Sequence, residues 1–207
     1  MVGKYFDIAS NAEDADFAVA VIGEPKGGTG YSVEDRNAGG NGYVPISLRY
    51  GEYTANVARE HSIAGGDPLE SSSNRSYRGK TVTSTNAADA DVITKTKSEL
   101  GNKPLVTVVY ATKPFVPAEI EPGSDALFVA FGVQYMAVFE IISGAYEPSA
   151  MLPMQLPADM ATVELQNEDG FGDMECYRDS EGNVYDFAFG LNWTGQVKDW
   201  RYRKYHR

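Results

Sequence analysis

Three short apolar runs set the pattern of this chain. Residues 17–22, FAVAVI, are continuously apolar and end at Gly23, as expected of a strand buried on both faces of a parallel sheet. Residues 105–110, LVTVVY, are rich in β-branched side chains and are bounded by Pro104 on one side and Lys113-Pro114 on the other. Residues 126–131 form the third run. Between the first two, Asn86 and Asp89 have the spacing of a capping box, Ala90, Ile93 and Leu100 share one side of a helix, and Gly101 supplies a stop. After the third run, Gly132 introduces VQYMAVFEIIS, apolar nearly all round and closed by Gly144, which predicts a helix packed into the core. Strands alternating with helices predict an α/β fold, a three-layer sandwich around a mainly parallel sheet.

The polar stretches are less regular. Residues 23–42, GEPKGGTGYSVEDRNAGGNG, read as a loop too rich in glycine for regular structure and too long for a plain connector. A long loop at the carboxyl end of a buried strand is where α/β proteins place their sites. Beyond Pro148 the texture becomes proline-rich and acidic, with a turn expected at Asp179-Ser180-Glu181-Gly182-Asn183. Residues 158–207 are therefore expected to be an irregular arm with little helix, belonging to one domain that spans 1–207. Its end, WRYRKYHR, is basic and aromatic; a terminal arm resting on an acidic body is favoured over an RNA contact.

Composition removes several classes of function. A formal net charge of −11 opposes phosphate neutralisation, so no nucleic-acid partner is expected. No run approaches the roughly 18 apolar residues of a membrane span, and no membrane partner is expected. The amino terminus has no export pattern, which leaves localisation open. With Cys176 the only cysteine and His61 and His206 the only histidines, metal clusters and Ser/His/Asp triads have little to draw on. No metal and no cofactor is expected. The segment from Gly23, GEPKGGTG, imitates a phosphate cradle but has Gly28-Thr29 where Lys-Ser/Thr would be needed, which disfavours nucleotide binding.

Several stretches, in order along the chain, resemble family 3 glycoside hydrolases in their C-terminal α/β-sandwich region. Ile22-Gly23-Glu24 resembles that family's V-G-E strand end. Lys103-Pro104 with the strand after it, and then Lys113-Pro114, resemble its K-P-V-V-V-V strand and later R-P step. Asp125-Ala126 and Gly132-Val133-Gln134 resemble its D-A strand and G-Q helix start. Gly144, Glu147-Pro148-Ser149 and Leu152-Pro153 are similar to G-x-x-x-P-S-G-x-L-P, and residues 185–191 to a closing Y-x-F-G-F-G-L. Ala150, Met151 and Tyr135 depart from the pattern, standing where Gly, a basic residue and Glu are usual. The family's nucleophile-bearing barrel and the opening of its sandwich would precede the V-G-E strand, and about sixteen residues precede it here. The chain is accordingly expected to be a fragment, a split-gene half or an orphan descendant.

The resemblance implies a role in retaining exo-β-glycosidase chemistry, of the β-glucosidase type. Such chemistry needs two carboxyl groups about 5–5.5 Å apart, one a nucleophile and one an acid/base of raised pKa. Glu24 matches the V-G-E carboxylate and is the acid/base candidate, with Glu34 and Asp35 in reserve. Tyr31, Tyr43, Arg49, Asp67 and Arg75 are the candidates for sugar contact, combining planar faces with hydroxyl-directed polar groups. Domain packing is the plainer use of all five, and Asp67 before Pro68 suits a turn equally well. The implied partners are a β-linked glucoside or oligosaccharide and either a barrel domain or a second copy of the chain. Without the nucleophile domain no turnover is expected, and the rival reading is a non-catalytic carbohydrate-binding or scaffold module.

Overall fold

The computed structural model describes residues 2–60, 75–167 and 172–205. Its strands are β1 (Ala18–Gly23), β2 (Tyr53–Thr54), β3 (Thr81–Val82), β4 (Leu105–Tyr110), β5 (Ala126–Ala130), β6 (Leu191–Asn192) and β7 (Gly195–Gln196). Its α-helices are α1 (Val33–Asn37), α2 (Ala88–Leu100), α3 (Tyr135–Ile142), α4 (Met160–Leu165) and α5 (Trp200–Tyr205). The three apolar runs pair as a parallel sheet in the order β1-β4-β5, with Ala18 opposite Leu105 and Val106 opposite Ala126. The α/β class and the three principal strands are as expected.

Alternation along the strands sorts the side chains onto two faces. Ala20 and Ile22 of β1, Leu105 and Val109 of β4, and Leu127 and Val129 of β5 join one core with Ile93 and Leu100 of α2. Tyr50, Phe115, Leu156, Tyr185 and Phe189 complete it from the loops and the C-terminal part of the chain. The opposite face gathers Val108, Ala130 and Val138 of α3, flanked by Val19, Val106, Tyr110 and Phe128. Asp125 ties the near end of the sheet together, accepting from Leu105 N at 2.7 Å and from Lys97 Nζ of α2 at 2.6 Å.

The helices depart from expectation in four places. Asn86 does not cap α2: its side chain instead donates to the Glu24 carbonyl and to Asp89, so the would-be capping box fastens α2 to the end of β1. Helix α3 buries only Val138 and Phe139, the latter against the Tyr5 and Phe6 rings, and leaves Tyr135 and Met136 exposed. Residues 23–42 contain the helix α1, capped by Ser32 accepting from Asp35 N. The C-terminal part holds two short helices, α4 and α5, where little helix was expected; Asp159 caps α4 through Thr162 N. The expected turn at 179–183 is present, closed by Gly182 N donating to Asp179 O. Tyr205 packs edge-on against Phe187, a contact within the C-terminal part of the chain.

Candidate functional site

Glu24 follows β1 directly, and its backbone N donates to Tyr110 O at 3.0 Å, so the residue stands at the carboxyl ends of β1 and β4 together. The side chain turns across to the loop after β4. One carboxylate oxygen accepts from Thr112 N and, at 3.1 Å, from Lys113 N; the other accepts from the Thr112 hydroxyl at 2.8 Å. Partial burial alone would raise the pKa of this carboxyl. The hydrogen bonds from Thr112 and Lys113, with the nearby Lys113 ammonium, outweigh it and hold Glu24 below the ordinary glutamate range. Glu24 is thus an ionised carboxylate that clamps two strand ends.

Beneath it the backbone is locked. Tyr50, fully buried, donates its hydroxyl to Gly23 O at 2.7 Å, and burial pushes that phenol above its usual pKa. Arg49 beside it is held by Glu119, which accepts from Arg49 Nη2 at 2.9 Å and Nε at 3.2 Å and from the backbone N–H groups of Tyr50 and Gly51. Arg49 is a braced cation, paired with Glu119.

The glycine-rich segment is an ordered ribbon. Bridges Gly27↔Ser47 and Tyr31↔Tyr43 share one antiparallel register, so 27–31 runs back along 43–47. Gly28 has φ +73°, and a Cβ there would stand 2.2 Å from Pro45 O, so the close approach of the two chains requires glycine at this position. At the far end the Tyr31 and Tyr43 rings meet edge-on, centroids 6.0 Å apart, and Arg36 donates to the Tyr31 hydroxyl. Asp35 accepts from Lys80 Nζ at 2.7 Å and Gly42 N at 2.8 Å, fastening α1 to the strand β3 region. Glu34 is exposed on α1, and its own backbone N–H, with a hydrogen bond from Ser32, holds its carboxyl below the ordinary range.

Hydrogen bonds and ring contacts therefore sort the candidates into separate groups: Glu24 with Thr112 and Lys113, Arg49 with Glu119, and Tyr31 with Tyr43. Arg75 is partly buried. Asp67 lies outside the described residues. Thr112 and Glu119 were not singled out from sequence, and Lys113 entered only as a strand boundary and motif match, not as a site residue. The available signal for Thr112 and Lys113 was position, since the loop after β4 must lie beside the loop after β1 in a parallel pair.

No described helix is long and apolar enough to cross a membrane, and no cluster of His, Cys, Asp or Glu suited to a metal occurs among the described residues.

No family model matches the chain. Two curated proteins, each called probable beta-glucosidase C, from Aspergillus flavus and Aspergillus oryzae, are 29% identical to it over 91 residues. The match covers 44% of this chain and 13% of each relative, so the chain accounts for a small part of their length. Among solved structures, beta-glucosidase from Listeria innocua, alone and in complex with isofagomine, is similar at TM-score 0.39. Identity is 16% over 84% of this chain for the first and 22% over 51% for the second, covering 29% and 17% of those chains. The curated relatives bear out, over part of the chain, the resemblance to the C-terminal region of family 3 glycoside hydrolases.

Proposed function

We propose that this chain is a sandwich-domain component of a retaining β-glucosidase-like enzyme, giving an acid/base loop and a sugar subsite to O-glycosyl hydrolysis, and is inactive by itself. The observation that carries the reading is the placement of Glu24: a carboxylate at the carboxyl ends of two parallel strands, in a chain whose sequence matches β-glucosidases over 91 residues. In retaining hydrolysis one carboxyl protonates the leaving oxygen while a second attacks the anomeric carbon. Glu24 takes the first role and a nucleophile on a separate domain takes the second. For Glu24 to carry a proton near neutral pH its pKa must rise, and a domain closing over it would do this by stripping water and adding a second negative charge. Glu34, exposed on the ribbon, is the reserve for the same role.

The test is hydrolysis of an aryl β-glucoside by the purified chain, alone and mixed with a separately expressed family 3 barrel domain. The proposal expects release of the aryl alcohol only in the mixture, and its loss with Glu24→Gln. Turnover by the chain alone, or an unaffected Glu24→Gln mixture, would overturn it. A second reading, a carbohydrate-binding or scaffold module without chemistry, draws support from the depressed pKa of Glu24, which suits a clamp better than an acid. Saturable sugar binding with silence in both hydrolysis arms would favour it.

A further inference from the structure

Helix α4 carries a carboxylate where its pattern calls for an apolar side chain. Met160, Val163 and Glu164 have the i, i+3, i+4 spacing of a single helix face. Met160 is buried, and Val163 packs on the small core that Met160 forms with Tyr53, Ala55, Ala58 and Val116. Glu164 is partly buried beside them and is held by two phenols. Its Oε1 accepts from the Tyr53 hydroxyl at 3.0 Å and its Oε2 from the Tyr77 hydroxyl at 2.8 Å. Burial, and after it the charge of Glu164, push the Tyr53 phenol above its usual pKa, so it stays a donor.

A carboxylate drawn toward an apolar core is expected to have a cation beside it. Among the described residues no lysine or arginine forms an ion pair with Glu164. The basic side chains from the same stretches of chain are engaged elsewhere: Arg59 donates to Gln166 O at 2.6 Å, Arg78 pairs with Glu60, and Lys80 pairs with Asp35. Each Glu164 oxygen has accepted one phenol and retains capacity for a further donor.

Glu164 lines a cleft of about 210 Å³ whose other walls are mainly apolar. On the ribbon, alternation sends Pro45 and Ser47 inward, where both are fully buried, and presents Val44, Ile46 and Leu48 to the cleft. Leu48 N donates to Met160 Sδ at 3.2 Å, which fixes this wall against α4. Ile46 nevertheless stays 47% exposed, an apolar side chain with part of its surface unfilled. Tyr77 adds an aromatic ring to the lining, and a cation is attracted to such a ring as well as to the carboxylate. The cleft is smaller than the roughly 300–1,000 Å³ of drug-sized sites, so it suits a compact ligand. Apolar walls ask for an apolar body, and the unpaired Glu164 charge repels carboxylates and phosphates while attracting an ammonium.

We infer that the cleft between the ribbon and α4 binds a small organic ammonium, a monocation with a compact apolar body whose N–H groups donate to Glu164. Binding there does not depend on any role of Glu24. The test is titration of the full chain with cyclohexylmethylammonium chloride, and in parallel with the neutral isostere cyclohexylmethanol, at neutral pH and low salt, followed by amide chemical shifts. Saturable shifts at millimolar ammonium are expected at Gly30, Val44, Ile46 and Val163, with the alcohol binding about fivefold more weakly for want of the charge. Glu164→Gln keeps the shape and can still accept from both tyrosines, so it should lower ammonium affinity to that of the alcohol. Ile46→Ser, at an exposed position, should weaken both ligands alike, by about threefold. That second variant keeps the test decisive if Glu164→Gln disturbs α4. Equal binding of ammonium and alcohol by the wild-type chain would overturn the inference, as would ammonium affinity unchanged in Glu164→Gln. Shifts that never saturate, or that spread over acidic surface residues and leave the cleft silent, would overturn it too.

Discussion

The face of the sheet toward α2 and the face toward α3 are built from the same three strands, yet they are covered very differently. Toward α2 the layer is thick: Leu105, Val109, Phe115 and Tyr50 are fully enclosed, and segments from residue 50 to residue 189 contribute. Toward α3 one helix does most of the covering, helped at one end by Tyr5 and Phe6, and Val21 of β1 stays 44% exposed while Tyr135 of α3 stays 51% exposed. The edge of β1 follows the same division. Ala18 N and Glu24 N bond toward β4, so by alternation Val19 and Val21 turn their backbone groups to the free edge. Gly23, the next outward residue, is already taken up by Asp89 and Tyr50. One face and one strand end are finished; among the described residues the other face and the middle of the edge are open. The difference separates what holds the domain folded from what it has available for contact.

Core substitutions on the two faces should break this comparison most strongly. Phe115→Ala is expected to lower stability by about 3–5 kcal/mol, through lost transfer energy and a cavity in the thick layer. Val138→Ala, under the single helix, should cost roughly 1–2 kcal/mol, at ~0.8 kcal/mol per methylene-sized group removed. Urea denaturation midpoints measure both, and equal losses would mean that the faces are equally well packed.

At the rim between the faces, Glu24→Gln should cost about 1 kcal/mol, because charge-assisted bonds to Thr112 and Lys113 become neutral ones on a partly exposed group. The sign follows from the depressed folded pKa. The contribution of Glu24 is fully present above the ordinary glutamate value of roughly 4.3 and is lost as pH falls through the lower folded value. Wild type and Glu24→Gln should therefore converge in stability as pH is lowered through that window. A gap that stays constant with pH would show that the carboxylate charge is not what the clamp uses.

The smallest effect is expected at the open edge. Val21→Thr should change stability by no more than about 0.5 kcal/mol, since the side chain is nearly half exposed and lies at the sheet edge. Amide exchange sharpens the point: Ala20 and Ile22 should be protected, Val19 and Val21 much less so. Uniform protection along β1 would mean that the edge is paired in solution.

The finished face was the part most legible in the sequence. Continuous apolar strands, the Ile93 and Leu100 stripe of α2 and the Gly101 stop, at φ +62°, all follow from local pattern. The open face was misread, because an all-round apolar helix normally signals burial, whereas α3 has its second side uncovered. Ser32 and Asp159 cap α1 and α4 in the structure, in segments whose glycine and proline density reads as loop. Of the candidate site, the sequence placed Glu24 at the strand end but not the groups that hold it. Its partners Thr112 and Lys113 are nearly ninety residues away and meet it only because β1 and β4 pair, which no local pattern reports.

The most direct test of the central claim, that Glu24 is held as an ionised clamp until another domain covers it, is a carbon-13 NMR titration of its side-chain carboxyl in the isolated chain. The account predicts a pKa below the ordinary glutamate value, moving up toward it in Thr112→Ala. A value above the ordinary one in the isolated chain would contradict the geometry and make Glu24 a ready acid without any partner.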